Sequence, residues 1–242
     1  NKILILVDEG VKIQDYNAVA KYVFSNLNPV SDIYFSQGPM DVLDHSCSKL
    51  GFGGKMCIDG TKKFPEESYE NYESKITNYE FDSAALLNKF SEIKAINFSL
   101  LKKEIPCLII SVQKNRKGHI RELHEQICSL KELEGVKLIL YVEHTVDAND
   151  LPTALWRFCN NLDPKRDHVL YKQKNICMGF DGTRKTKEFD DFNRDWPNII
   201  IADDATINAV DAKWNELGIG SFISSPSLKF KEQIYGEEAV VQ

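Results

Sequence analysis

The stretch "KLILYVEHTVDANDLPTALWRFCNNLDPKRDHV", from Lys137 to Val169, decides the fold because an earlier stretch repeats its pattern. Placed over it without a gap, "KILILVDEGVKIQDYNAVAKYVFSNLNPVSDIY", from Lys2 to Tyr34, is identical at eight of thirty-three positions. The heptapeptides "CIDGTKK" (57–63) and "GFDGTRK" (179–185) also align when a gap of thirteen residues is placed in the second copy before them. These matches predict that a unit of roughly sixty residues occurs twice.

Each copy has the pattern of a strand, a helix and two further strands. The first strand is a continuous apolar run (residues 3–7 and 138–142), typical of a strand covered on both faces. Asp15 and Asp150 precede apolar residues at helical spacing, so we expect them to cap the two helices. A proline ends each helix, because the residue before proline disfavours the helical conformation.

The segments outside the two copies complete an α/β pattern. A helix over 82–94, a strand over 106–112 and a helix over 118–133 lead into the second copy, which predicts a β-α-β unit with parallel strands. A further helix is expected over 204–217. The predicted fold class is therefore α/β, with mostly parallel sheets flanked by helices and an internally duplicated strand-helix-strand-strand unit.

These patterns divide the chain into three predicted regions. Residues 1–80 form a first, partial α/β repeat unit that ends in an acidic linker (66–80). Residues 81–220 form a second α/β unit, and 221–242 form a tail that is either loose or docked on a partner subunit. Because Asn1 leads at once into an apolar strand, we expect this sequence to be part of a longer protein.

Composition excludes several classes of protein. The 242 residues carry a net charge of -6, which disfavours nucleic-acid binding. No apolar stretch is long enough to span a membrane, and no signal peptide is visible. The six cysteines include no C-x-x-C pair and lie mostly in apolar runs, so we expect reduced core residues and a cytoplasmic location.

The Asp-Gly-Thr segments resemble the phosphotransfer motif D-x-D-G-T, but they lack its nucleophile. That chemistry needs an aspartate two residues before the second aspartate, where this chain has Cys57 and Gly179. Two interpretations stay open. The loops could bind an anion or a nucleotide through the glycine backbone and the basic residues Lys62, Lys63, Arg184 and Lys185. The favoured interpretation is a turn in which Asp59 and Asp181 accept backbone N–H groups and Gly60 and Gly182 supply a positive φ.

The histidines do not form a metal-ligand pattern in the sequence. "HIRELH" (119–124) resembles H-x-x-E-H, but His124 follows His119 by five residues and points about 140° away on a helix. Metal ligands must lie on one side, so we expect surface or structural histidines. His45 and Cys47 are two residues apart and could be two ligands, but no second pair stands nearby.

Acidic residues crowd the ends of the two first strands: Asp8 and Glu9, then Glu143 and His144. Sites in α/β proteins form where parallel strands end, so these groups could hold a metal or act as acid and base. The alternative is a cluster that caps helices and solvates loops. Similarly, "KNRKGH" (114–119) could hold an anion at a helix N-terminus or be a charged loop.

Taken together, the second copy and its flanks resemble the carboxy-terminal domain of the UbiD-type decarboxylases. Upstream, Lys114, Gly118 and His119 match the family's K-x-x-x-x-G-H segment, and downstream the stretch 195–220 resembles its closing W-P and V-D-x-x-W-x-x-L-G-L pattern. The matching residues between them are Val142, Val146, Asp147, Asp150, Trp156, Asp163, Pro164, Arg166, Asp167, Asp181, Thr183 and Lys185. Two departures stand out: the acidic run is reduced to Glu143 and His144, and the half-unit at 1–63 suggests a long-form member.

The resemblance implies a carboxy-lyase that removes CO₂ from an aromatic or α,β-unsaturated acid, in ubiquinone or menaquinone biosynthesis. Prenylated FMN and a divalent metal are the implied cofactors of the parent enzyme. In that family the flavin and the catalytic residues belong to an amino-terminal domain that nothing here matches, so we assign no catalytic, cofactor-binding or metal residue to this chain. The resemblance implies an inactive scaffold and oligomerisation region, partnered by its missing flavin domain and by further copies of itself.

Overall fold

A computed structural model describes residues 1–67, 83–235 and 240–241 of the chain. The chain divides into two compact units, Asn1–Arg194 and Asp195–Gln242. The strands of the first unit are β1 (Ile3–Leu6), β2 (Ile33–Pro39), β3 (Phe52–Asp59), β4 (Ile93–Asn97), β5 (Cys107–Val112), β6 (Leu138–Glu143), β7 (His168–Lys172) and β8 (Ile176–Gly182). Its helices are α1 (Tyr16–Asn26), α2 (Ser83–Lys89), α3 (His119–Cys128), α4 (Leu151–Asn161) and α5 (Lys187–Asp190).

The first unit contains two mixed sheets, with strand orders β1-β3-β2 and β4-β5-β6-β8-β7. The pairs β1/β3, β5/β6 and β6/β8 are parallel, whereas β2/β3, β4/β5 and β7/β8 are antiparallel. The fold class is α/β, as predicted, but the sheets are not mostly parallel. Strands joined by short connections pair antiparallel, because a parallel pair needs a long crossover.

The two copies pair their strands in the same order, direction and register. Ile3 pairs with Met56 in the first copy, and the aligned Leu138 pairs with Met178 in the second. The antiparallel strands β2 and β7 continue the correspondence, because the aligned residues Ile33 and His168 face the aligned residues of β3 and β8.

The two corresponding helices begin at the predicted caps. The Asp15 carboxylate accepts a hydrogen bond from the Ala18 amide at 3.0 Å, and the Asp150 carboxylate accepts one from the Thr153 amide at 3.3 Å. Each bond satisfies an amide that has no partner within the helix. Tyr16, the first residue of α1, is 83% exposed and is not part of the apolar face of that helix.

A single core joins the two copies. Val23 of α1 and Ile58 of β3 belong to the same buried cluster as Phe158 of α4 and Phe180 of β8. A second cluster lies on the other side of the five-stranded sheet, where α3 packs through Leu123 and its neighbours. The two copies therefore fold as one body around shared apolar residues.

One predicted helix is partly a strand. Residues 82–94 were expected to be helical, but α2 ends at Lys89 and β4 follows. Ile93 and Ile96 are both buried, and β4 forms the edge of the five-stranded sheet beside β5. The start of that prediction and most of the predicted acidic linker (66–80) lie outside the described residues.

The second unit contains β9 (Ile201–Ala202), α6 (Asp204–Lys213) and β10 (Val240–Val241). A 3-10 helix (Pro226–Gln233) precedes β10, which pairs in parallel with β9. Asn198 connects the segment before β9 to the end of the described tail, since its side-chain oxygen accepts a hydrogen bond from the Tyr235 amide at 2.6 Å. Part of the predicted tail thus folds back on its own unit.

Candidate functional site

The Asp-Gly-Thr corners are turns built around an aspartate side chain. In the second copy, the amide and the hydroxyl of Thr183 donate to Asp181 Oδ1 at 2.9 and 2.5 Å. In the first copy, Thr61 makes the same two bonds to Asp59 at 3.0 and 2.6 Å. This geometry agrees with the predicted turn, in which an aspartate satisfies the backbone two residues on.

The role predicted for the glycines of these corners is wrong. Neither Gly60 nor Gly182 is among the described residues with a positive φ. A Cβ atom at Gly182 would lie 2.6 Å from Phe158 Cδ2 and 2.9 Å from the Tyr141 carbonyl oxygen. At Gly60 it would lie 2.6 Å from Val23 Cγ2. Glycine is needed there because a helix crosses directly over the corner.

The basic residue that ends each heptapeptide turns back into its own corner. Lys185 is 2% exposed, and its ammonium donates to the carbonyl oxygens of Asp181 at 2.7 Å and Thr183 at 2.8 Å. It also lies 3.7 Å from an Asp167 oxygen. Lys63 likewise donates to the Asp59 carbonyl oxygen at 3.0 Å. Since these ammonium groups are already engaged, the geometry does not favour the anion-binding interpretation of the loops.

The strand-end acids brace the same corners. The Arg184 amide donates to Glu143 Oε2 at 3.0 Å, and the Lys62 amide donates to Asp8 Oδ2 at 2.7 Å. The Tyr22 hydroxyl also donates to Asp8 at 2.5 Å. This hydrogen bond from Tyr22, together with the Lys62 amide, lowers the pKa of Asp8. The structure thus brings two predicted groups together, the strand-end acids and the Asp-Gly-Thr corners, and gives the acids the loop-bracing role that was the alternative to catalysis.

Lys114 joins the corner of the second copy from the segment before α3. Its ammonium donates to the Arg184 carbonyl oxygen at 2.9 Å and to both carboxylate oxygens of Asp190, and it lies 3.8 Å from Asp181. Burial raises the pKa of Asp181, but the charges of Lys185 and Lys114 and the bonds from Thr183 outweigh it and lower the pKa to about 2. Burial dominates at Asp167, whose pKa is raised despite Lys185 and Arg166. The corner is therefore a compensated network of charges.

The other basic residues of "KNRKGH" are also paired with acids. Arg116 lies 2.7 Å from Glu122, and Lys117 pairs with Asp191. His119 is buried, accepts the Asn115 amide on Nδ1 at 3.3 Å, and has Nε2 3.2 Å from Glu92. This is the arrangement of a structural histidine at the start of a helix.

A cleft of about 170 Å³ opens beside the second corner. Its charged lining residues are Lys114, Arg121, Arg166, Lys185, Asp167, Asp181 and Asp190. The cleft is smaller than the roughly 300 Å³ at which pockets for drug-sized ligands begin. Its lysines are held by carboxylates and carbonyl oxygens, and its acids by lysines. These paired lysines and acids offer neither a free ammonium to a flavin phosphate nor a free carboxylate to a hard divalent cation.

The remaining predicted pair, His45 and Cys47, is not joined by a second pair of ligands in the described part of the chain. His45 Nε2 lies 3.3 Å from Asn161 Oδ1, and burial lowers the pKa of His45. Cys47 is 1% exposed and burial raises the pKa of its thiol.

The sequence analysis missed a different cluster, in which His124 and Cys128 of α3 meet Cys177 of β8. Their ligand atoms lie within 4.8 Å of one another and all three residues are buried. The hydrogen bond from Cys177, aided by His124, overcomes burial and lowers the pKa of the Cys128 thiol to about 6. The helical part of this cluster was visible in the sequence, because residues four apart share one face of a helix.

Comparison with known proteins identifies the family. Residues 1–60 and 77–181 match the family described as the 3-octaprenyl-4-hydroxybenzoate carboxy-lyase C-terminal domain, UbiD_C. The chain belongs to the UbiD_C family. Both matched stretches end inside an Asp-Gly-Thr heptapeptide, at Gly60 and Asp181. The UbiD_C match therefore includes most of the first copy, which the sequence had set apart as an additional half-unit.

Proteins of two bacteria, each described as an uncharacterized protein, are similar in sequence to this UbiD_C chain. A protein of Helicobacter pylori (strain ATCC 700392 / 26695) is 32% identical over 196 residues, which cover 78% of this chain and 29% of the relative. A protein of Aquifex aeolicus (strain VF5) is 41% identical over 68 residues, covering 28% of this chain and 14% of the relative. The chain spans less than a third of the length of these curated relatives.

Solved structures with some similarity to the UbiD_C chain include two decarboxylases. The closed form of vanillic acid decarboxylase from Sedimentibacter hydroxybenzoicus has a TM-score of 0.43 at 15% identity, covering 56% of this chain and 30% of that chain. An evolved dimeric form of the UbiD-class enzyme HmfF from Pelotomaculum thermopropionicum, in complex with prFMN, has a TM-score of 0.35 at 20% identity, covering 47% and 25%. No helix in the described parts of the UbiD_C chain is long and apolar enough to cross a membrane.

Proposed function

We propose that this chain is the scaffold and oligomerisation region of a UbiD-like decarboxylase. The parent enzyme acts on an aromatic or α,β-unsaturated acid in quinone biosynthesis, in the cytoplasm. Prenylated FMN and a divalent metal bind to its amino-terminal flavin domain. Within this chain, the proposal keeps the three regions 1–80, 81–220 and 221–242, with the two copies related by duplication.

The observation that carries the proposal is the compensated charge network at the Asp-Gly-Thr corner. In a working site, a general acid, a base or a cofactor ligand must be available to a substrate. Here Lys185, Lys114 and Asp181 are committed to one another and to backbone carbonyl oxygens. A corner of this kind stabilises the fold, which is what a scaffold needs.

The outer strand of the small sheet supports a role in assembly. Leu4, Ile5 and Leu6 of β1 are 46%, 47% and 42% exposed. Their aligned counterparts in β6 are at most 9% exposed, because β5 pairs with that strand and the two core clusters cover its faces. Exposed apolar residues on a strand at the edge of a sheet mark a surface that another element covers. We assign this surface to contact between copies of the chain.

Duplication is supported by contacts that recur at aligned positions. The Asn26 side-chain amide donates to the Gly60 carbonyl oxygen at 3.4 Å, and the aligned Asn161 donates to that of Gly182 at 3.2 Å. The Asn28 amide donates to Asp32 at 2.7 Å, as the aligned Asp163 amide donates to Asp167 at 2.8 Å. Such matched polar contacts go beyond a shared apolar pattern.

The test compares the 242-residue chain with the full-length protein, each expressed together with a source of prenylated FMN. We expect bound flavin and CO₂ release from an unsaturated or aromatic acid only with the full-length protein. Stoichiometric flavin on the 242-residue chain, or CO₂ release by it, would refute the scaffold role. Absence of both from the full-length protein would refute the decarboxylase assignment.

A further inference from the structure

The strongest unassigned feature is the cluster formed by His124, Cys128 and Cys177. It lies on the α3 side of the five-stranded sheet, with Cys177 near the start of β8 and the Asp-Gly-Thr corner at the end of that strand. Two thiols and an imidazole are the ligands that Zn²⁺ prefers, and they are wrong for the hard cations that oxygen ligands hold. This chemistry separates the cluster from the divalent metal implied for the flavin site.

We propose that His124, Cys128 and Cys177 form a binding site for a thiophilic metal ion such as Zn²⁺. His124 and Cys128 supply two ligands from one face of α3, and β8 supplies the third from the sheet below. This pairing of a helix with a strand places all three side chains on rigid elements. On binding, the metal replaces the remaining thiol protons, which leave to solvent.

The distances within the cluster suit a tetrahedral metal. The Cys128 sulfur lies 3.5 Å from His124 Nε2 and 3.6 Å from Nδ1. Tetrahedral Zn²⁺, with bonds of about 2.0 Å to nitrogen and 2.3 Å to sulfur, holds such ligand atoms about 3.5 Å apart. The third ligand is close as well, since all three ligand atoms lie within 4.8 Å of one another.

The surroundings of His124 select one nitrogen as the ligand. Nδ1 lies 2.9 Å from the Tyr141 hydroxyl, while Nε2 lies 3.2 Å from the Cys177 carbonyl oxygen. A metal-bound histidine commonly donates its other N–H to an oxygen, which fixes the ring. The carbonyl oxygen can only accept, so Nε2 carries the N–H, and Nδ1 is the atom assigned to the metal, which would replace its hydrogen bond with Tyr141.

The sheet leaves room for the imidazole at one position. A Cβ atom at Gly179 would lie 2.6 Å from His124 Nδ1, so a larger residue there would push the ring aside. The aligned position in the first copy is Cys57, whose side chain takes the space that the glycine leaves open in the second copy. The site is therefore a property of the second copy alone.

A cleft gives the site an entrance. About 310 Å³ of space is lined by Cys128 together with Lys131, Glu134 and Lys174 at the end of α3. A metal ion needs a path into a buried site, and three protein ligands leave one position of a tetrahedron for water. We assign this cleft as the entry path of the metal ion and as the space for its water ligand.

The test titrates the reduced, metal-free 242-residue chain with Co²⁺ and then displaces it with Zn²⁺. We expect one Co²⁺ per chain, with thiolate-to-cobalt charge-transfer absorption and the visible bands of tetrahedral Co²⁺. Cys128→Ala should remove the charge-transfer absorption or weaken binding at least tenfold. The matched control Cys107→Ala, at a buried thiol in the other core cluster, should leave both unchanged.

A second measurement keeps the proposal falsifiable if the alanine variants do not fold. In the wild-type chain under mild denaturant, Zn²⁺ should protect Cys128 and Cys177 from alkylation, and the other four cysteines serve as internal references. Tyr141→Phe removes the hydroxyl that competes with the metal for Nδ1 and should not weaken Zn²⁺ binding. Featureless Co²⁺ spectra with uniform alkylation would overturn the metal site. A Cys128–Cys177 disulfide that forms while no metal binds would also overturn it.

Discussion

Lys2 and Lys137 make the same contact from opposite copies. Lys2 donates its ammonium to the Cys159 carbonyl oxygen at 3.1 Å, and Lys137 donates its own to the Phe24 carbonyl oxygen at 2.7 Å. Cys159 and Phe24 are aligned positions near the ends of α4 and α1, where a cation is favourable. Each copy therefore caps the helix of the other.

Substitution of one of these lysines should weaken the contact between the two copies and lower the stability of the chain. Lys137 also donates to the Leu27 carbonyl oxygen at 2.7 Å, so Lys137→Met leaves two half-buried carbonyl oxygens without their donor. We expect a loss of about 2 kcal/mol in the free energy of unfolding, measured by urea denaturation. Lys21→Met, at an exposed pair with Glu104, is the control and should change it by less than about 0.5 kcal/mol. Equal effects of the two substitutions would contradict the role of Lys137.

The corner glycines should not tolerate a methyl group. Gly182→Ala places a carbon against Phe158 and the Tyr141 carbonyl oxygen, and the backbone oxygen is not free to yield. We expect a loss of about 1–3 kcal/mol in the free energy of unfolding, with a similar loss for Gly60→Ala. At Gly38 the added carbon would meet only the flexible Lys55 side chain at 3.5 Å, so Gly38→Ala is the matched control. A stable Gly182→Ala protein would show that α4 does not press on the corner as described.

Asp181 should make the stability of the protein depend on pH in the acid range. Its pKa is about 2 in the folded protein, against an ordinary 3.8, so its stabilisation is complete above about pH 4 and is lost as pH falls towards 2. A shift of this size is worth at most roughly 2 kcal/mol, because the side chain keeps 15% of its exposure. Asp181→Asn should lower stability at pH 7 and flatten its decline between pH 4 and 2.

The neighbouring Asp167 acts in the opposite sense, because its pKa is raised, chiefly by burial. The Asp181 charge also contributes to that rise, so Asp181→Asn should lower the pKa of Asp167 and flatten the profile further. Glu132→Gln, at an exposed carboxylate, should leave the shape of the wild-type profile unchanged. Parallel profiles for wild type and Asp181→Asn, followed by thermal unfolding from pH 7 to pH 2, would show that Asp181 is not the titrating group.

The apolar face of β1 should control association of the isolated chain. Leu4→Lys combined with Leu6→Lys places two charges on a surface where both residues are more than 40% exposed. We expect the double variant to shift the chain towards the monomer in light scattering after gel filtration, because charge blocks edge contacts. The control Leu43→Lys changes a residue that is 85% exposed outside the strands. Unchanged association of the double variant would remove β1 as the interface.

Local features of the fold could be predicted from the sequence, because they depend on neighbouring residues. The continuous apolar runs predicted β1 and β6, and Asp15 and Asp150 marked the starts of their helices. The same approach failed at β4. Leu86, Phe90 and Ile93 keep helical spacing, so the pattern alone extends α2 into a segment that the sheet takes as its edge.

Features that depend on distant residues were out of reach. The sequence suggested that Gly182 supplies a positive φ, but only the position of Phe158 above it shows that lack of space is the reason. The spacing of His124 and Cys128 shows two groups on one helix face. Cys177 lies about fifty residues further along the chain, and only the pairing of β8 with β6 brings it beneath α3.

The reciprocal contacts of Lys2 and Lys137 indicate how the chain could have evolved. When residue i touches j and the aligned j touches i, the contact is of the kind that two identical subunits make across a two-fold axis. If the copies arose by duplication, their single-copy ancestor formed a symmetric homodimer. Gene fusion would then have made permanent a partnership that once depended on concentration, and it would have left the two halves free to diverge from each other.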